Sequence, residues 1–212
     1  MASRSWLTLE GGNTTRLSEG SFQNCLSLSP CPCPPEGHPT VTGRTAHPGL
    51  TEVPFLGGFL RVEIERSALP LERVLERNGT LAILLPVSVP AIQVSGHVRQ
   101  VAERWLKAQA RTYLQRRVGE LAARLGVTPR QLTVKDTRSR WGSCSHAGNL
   151  SFSWRIVMAP PWIIDYLVVH ELAHLREMNH SHRFWEVVHG ACPDYKSHRF
   201  WLRACGEKLM NW

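Results

Sequence analysis

An apolar run, "PWIIDYLVVHELAHL" (161–175), carries two histidines and a glutamate where a buried helix would otherwise hold aliphatic side chains. Pro160 and Pro161 mark a helix start, because proline suits the first helical position. His170 and His174 are four residues apart, about 40° of rotation and about 6 Å of rise on a helix. Both imidazoles therefore reach one point beside the helix, with Glu171 about 100° round from His170. Ile164, Val168, Leu172 and Leu175 form the opposite, apolar face, so the helix is expected to pack there and turn its histidines into a cleft. A chain with such a helix has to fold around it.

His-Glu-x-x-His is the pattern in which two imidazoles hold zinc and the glutamate takes a proton from water. A catalytic site of this kind has three protein ligands and an open fourth position. Four further histidines, His180, His182, His189 and His198, are candidates for the third ligand, and Glu177 is the nearest carboxylate alternative. His180 stands ten residues after His170, the spacing of the longer zinc motif H-E-x-x-H-x-x-G-x-x-H. A continuous helix would carry it about 15 Å up the axis, so the chain must turn back just after Met178. Glu177 occupies the place of the motif's glycine, and Asn179, which tolerates the left-handed conformation, is expected to make the turn.

The rest of the chain reads as α+β. Residues 1–50 are rich in Ser, Thr, Pro and Gly and are expected to be a disordered tail. A small β-rich segment over 51–97 contains the alternating strand "GFLRVEIER" (58–66) and a second strand after an Asn78-Gly79 turn. A catalytic region over 98–212 opens with a helix from Val98 to Leu125, its stripe carried by Val98, Val101, Trp105, Ala108 and Thr112, and its end marked by Gly126. Strands are expected at 131–137 and 149–157, and helical segments at 181–189 and 194–209. The sequence "SHRFW" occurs at both 181–185 and 197–201 and reads as a chance repeat whose tryptophans anchor the core.

Charge is unevenly spread. Eleven Lys and Arg against three Asp and Glu between Arg99 and Arg140 account for the whole net charge of +8. Such a stripe is either a solvated helix face or a surface for nucleotides, nucleic acid or acidic polypeptides. Six cysteines without an export signal imply reduced thiols and a cytoplasmic protein. No run approaches the roughly 18–20 apolar residues of a membrane span.

The stretch "RWGSCSHAGNLSFSWRIVMAPPWIIDYLVVHELAHLREMNHSHRFWEVVHGACPDYKSHRFWLRACGEKL" closely resembles the YgjP-like metal-dependent hydrolases, relatives of the SprT-like and WLM zinc peptidases. The resemblance covers about residues 98–210 and is weak before residue 90. It implies a zincin-like α+β core, with His170, His174 and His180 as metal ligands and Glu171 as the catalytic residue. The expected activity is a zinc-dependent hydrolase acting on peptides or proteins. The alternatives are a phosphoanhydride hydrolase, with Mg²⁺ or Mn²⁺ in place of zinc, and a DNA-associated protease of SprT type. Arg140 in "SRWGSCS", read as a turn before a strand, is a candidate for binding an anionic substrate. Arg155 and Tyr166 are candidates for stabilising the oxyanion, and the strand around Phe152–Arg155 for pairing with an extended peptide. Trp141 reads as a core plug, and Cys144 as no nucleophile.

Overall fold

The computed structural model describes residues 49–212, so the expected tail lies outside the described residues except for its last two positions. Two small mixed sheets and four α-helices make up the chain. Strands β1 (Glu52–Phe55), β2 (Gly58–Ser67), β3 (Arg73–Arg77) and β4 (Thr80–Pro86) form the first sheet in the order β1-β2-β4-β3. The β2–β4 pair is parallel and the two outer pairs are antiparallel. Asn78 and Gly79, both at positive φ (49° and 76°), make the two-residue turn between β3 and β4. That is the conformation Asn-Gly favours.

Helix α1 (Val94–Leu125) begins four residues before the expected Val98. Its buried stripe also drifts from the expected one: Leu106 and Ala110 face the core, whereas Ala108 and Thr112 are exposed. Over 32 residues a 3.6-residue period has room to drift off a pattern read in blocks. Gly126 ends the helix as expected, with φ of 62° and its N–H returned to the last turn. The exposed side of α1 is laced with ion pairs. Arg104 meets Glu72, Lys107 meets Glu103 and Asp136, and Arg116 and Arg117 meet Glu120.

The second sheet contains β5 (Gln131–Lys135), β6 (Gly142–Cys144) and β7 (Asn149–Ser153) in the order β5-β7-β6. Two expectations change here. The "WGSCS" segment, read as a turn, is the short edge strand β6, antiparallel to β7. The strand expected over 149–157 stops at Ser153, and Trp154–Met158 wind into a 3-10 turn, every residue of it buried. An unbroken apolar run cannot distinguish a buried strand from a buried turn by its period. Since β7 is central, the Phe152–Arg155 segment offers no sheet edge to a peptide.

Helix α2 (Pro161–Ala173) lies in the middle of the molecule, against α1, β6 and the later helices α3 (His182–Ala191) and α4 (Tyr195–Met210). It is buried on nearly every side rather than along one face: Leu167 and Val169 are as buried as Ile164, Val168 and Leu172. The guanidinium of Arg117 on α1 grips Asp165 on α2 through two bonds of 2.7 Å. The first sheet shares one continuous apolar core with these helices, from Val53 and Leu81 through Leu106 to Leu167. None of the helices among the described residues is long and apolar enough to cross a membrane.

Candidate metal centre

His170 lies in the last turn of α2, and His174 is the residue that caps it. The helix thus ends five residues before Met178, where the sequence suggested a turn. Backbone bonds from Leu175, Arg176 and Glu177 to Leu172 and Ala173 tighten its close. Asn179 makes the reversal by a different device from the left-handed backbone expected of it. Its Oδ1 accepts the N–H of Ser181 at 3.3 Å, and the non-glycine residues at positive φ among those described are Leu56 and Asn78. The side chain mimics a turn, as Asn commonly does. Ser181 then caps α3 by accepting the Phe184 N–H. His180, between these two bonds, is carried back over the end of α2.

The ligand-capable nitrogens of His170, His174 and His180 all lie within 4.8 Å of one another. The Nε2 atoms of His170 and His180 are 3.2 Å apart. Two imidazoles bound to one tetrahedral zinc at about 2.0–2.1 Å would have nitrogens about 3.3 Å apart, so the spacing suits a shared ion. Phe184 forms a floor beneath all three rings, with centroids 5.0, 4.6 and 4.7 Å from those of His170, His174 and His180. The sequence reading missed this role; the i, i+4 spacing of His180 and Phe184 across a cap was the available signal. His174 Nδ1 lies 3.2 Å from the Glu177 carbonyl, which orients the ring and leaves Nε2 for a metal. Glu177 therefore contributes its backbone here.

The electrostatics favour ligation. Burial pulls the pKa of each imidazole down, His180 to about 4; neighbouring histidines and Arg199 add to the effect at His170 and His180, while backbone hydrogen bonds oppose it at His174. Neutral rings near pH 7 keep the lone pairs that a metal needs. Burial pushes the Glu171 carboxyl up to about 8, against the opposing pull of Arg140. Glu171 is 1 % exposed and its Oε1 has no hydrogen-bond partner among the described residues. A buried carboxylate oxygen without a partner is costly unless a ligand or water completes it. Gly142 of β6 packs so closely that a Cβ there would sit 2.6 Å from Glu171 Oε1. The donor set and the unpartnered carboxylate both fit a zinc site.

The other candidates are placed as follows. His182 is exposed and pairs with Glu186, His189 is exposed near Tyr195, and His198 lies 3.2 Å from the Cys192 sulfur. None joins the three-histidine group. Tyr166, one turn before His170, is fully buried, with ring centroids 6.0 Å apart and its hydroxyl unpartnered among the described residues. Arg155, expected at the cleft, is instead 1 % exposed and bound to Asp136 at 2.5 Å while stacked on Trp154. Arg140 is exposed beside β6. Trp141 is buried against Gly206 of α4, as a core plug. Burial pushes the Cys144 thiol up to about 11, so it stays protonated. Among the described residues, Cys144, Cys192 and Cys205 form no disulfide.

No curated protein and no solved structure matches the chain. The family described as YgjP-like, metallopeptidase domain, matches residues 49–205. The match reaches well before residue 90, where the sequence resemblance is weak, and takes in the first sheet. Covering far more than half of the chain, it shows that the protein belongs to the YgjP-like metallopeptidase domain family.

Proposed function

We propose that the protein is a zinc-dependent peptidase with a zincin-like core, in which His170, His174 and His180 hold the ion. The observation that carries this reading is the meeting of three buried or half-buried imidazoles beside a buried, unpartnered carboxylate. When bound, zinc supplies Lewis acidity to a scissile carbonyl and to water. Beside a cation held by the three histidines the Glu171 carboxyl returns to its charged form, so that its Oε1 takes the proton from the attacking water and delivers it to the leaving amine. Gly142 keeps that carboxylate in place by leaving no room on its other side. Tyr166, with its buried hydroxyl, supports the site next to His170.

Phosphoanhydrides and DNA find less support as targets. Four of the eleven cations in the basic window are already held by acidic side chains of the same molecule. The test is metal analysis of the purified protein together with turnover of casein and short peptides. Glu171→Gln is expected to keep its zinc and lose hydrolysis, and His174→Ala to lose both. Hydrolysis by Glu171→Gln at the parent's rate would reject the mechanism.

A further inference from the structure

Cations without acid partners stand on both sides of the metal centre. On the α4 side, Arg199 is half-buried with its Cζ 5.1 Å from the centre of the Trp185 ring. Trp185 lies against the site itself, its ring 5.8 Å from both His170 and His180. On the β6 side, Lys135 and Arg140 line a cleft of about 220 Å³ with the hydroxyl residues Thr137, Ser139, Ser143 and Ser151 and no carboxylate. Gly142 borders that cleft and also packs against Glu171, so one strand separates the cleft from the catalytic carboxylate.

Of the buried and half-buried cations among the described residues, Lys107 is matched with Glu103, Arg117 with Asp165 and Arg155 with Asp136, which leaves Arg199 as the unmatched one, while Lys135 and Arg140 are exposed. Among the described residues, Lys135, Arg140 and Arg199 form no salt bridge. The fields of both arginines are felt at the centre: Arg199 lowers His170 and His180, and Arg140 lowers Glu171. A guanidinium over an indole is held there by cation–π attraction and keeps its fork of N–H donors, which can receive a carboxylate through two hydrogen bonds.

We propose that these two cationic walls select peptides with acidic side chains flanking the scissile bond, Arg199 receiving one carboxylate and the Lys135–Arg140 cleft another. This inference rests on the peptidase reading. A neutral peptide would leave three cations to water, whereas an acidic one forms charge-assisted bonds, strongest at the half-buried Arg199 and weaker at the exposed Lys135 and Arg140.

The test uses the full-length Glu171→Gln protein, loaded with zinc, and fluorescent peptides in pairs that differ only as Glu or Gln. Anisotropy should show the Glu peptides binding about tenfold tighter or more, with the preference shrinking as salt is raised. Adding Arg199→Gln should remove much of the preference, Arg199→Lys should restore part of it, and the pair Lys135→Gln with Arg140→Gln should remove the rest. Equal affinity for both peptides, with hydrolysis by the parent intact, overturns this inference alone. Absence of peptide hydrolysis by the parent overturns the peptidase reading beneath it. Tight binding of a nucleoside triphosphate without any preference between the peptides also overturns the inference and assigns the cations to phosphate.

Discussion

Helix α1 exposes its charges and pairs them, while its neighbour α2 buries its polar groups and leaves several unpartnered. On α1, Arg117 meets both Glu120 and Asp165, and Lys107 meets both Glu103 and Asp136. On α2, His170 Nδ1, Glu171 Oε1 and the Tyr166 hydroxyl are buried with no hydrogen-bond partner among the described residues. Each such group costs stability, so the second helix carries unmet polar groups where the first has partners on its own turns and on neighbouring segments. Scaffold and reactive centre are thus divided between two helices in contact, and Arg117–Asp165 is the seam between them.

That division can be broken most forcefully at Phe184. Phe184→Ala removes the floor under three imidazoles and should cost about 3–5 kcal/mol of stability, together with much of the metal affinity. Denaturant unfolding and metal titration would measure both, and a loss well under 1 kcal/mol would show that the rings are held by something else. Gly142→Ala should come next. Its added methyl meets Glu171, with an overpacking cost of about 1–3 kcal/mol and a fall in turnover of about a hundredfold from a displaced carboxylate. Unfolding midpoints and peptide kinetics would show whether the strand tolerates it.

Asp136 tests the scaffold side. Arg155 first, and Lys107 second, hold its carboxyl well below the usual carboxylate range. The folded value is therefore lower than the unfolded one, near 3.9. The resulting stabilisation is complete above about pH 5 and is lost as the pH falls through the unfolded value towards the folded one. Asp136→Asn should flatten that acid dependence and cost about 1–2 kcal/mol at neutral pH, a figure discounted because the carboxyl is 48 % exposed. Parallel acid-denaturation curves for parent and variant would show the pair to be inert. The smallest effect belongs to Arg116→Gln. Its 3.4 Å pair with Glu120 is solvent-exposed, and its loss should change stability by less than about 0.5 kcal/mol.

What could be read from the sequence followed the range of the interactions concerned. The Asn78-Gly79 turn, the Gly126 cap and the convergence of His170 with His174 are local rules, and each appears in the structure. Bringing His180 to the same point was readable from spacing, but the way Asn179 does it was not, since one residue can turn a chain by backbone or by side chain. β6 escaped notice because three residues, Gly-Ser-Cys, carry no alternation and owe their strand to β7. Arg155 looked accessible because nothing in the linear sequence ties it to Asp136 nineteen residues earlier. Arg199 and Trp185 come from the two copies of "SHRFW", and nothing in the linear sequence shows that α4 lays one against the other.

The hairpin between β1 and β2 also bears on the distant histidines. The N–H groups of Leu56 and Gly57 donate to the carbonyls of Val157 and Met158, and Gly57 sits where a Cβ would come within 2.9 Å of Pro160. The chain leading into α2 is therefore latched from outside at its first turn, while Arg176, just past its last turn, donates to the Leu125 carbonyl of α1. A rod fastened at both ends cannot slide along its own axis. The height at which His170 and Glu171 meet an incoming peptide is thus set partly by a loop more than a hundred residues upstream in the chain.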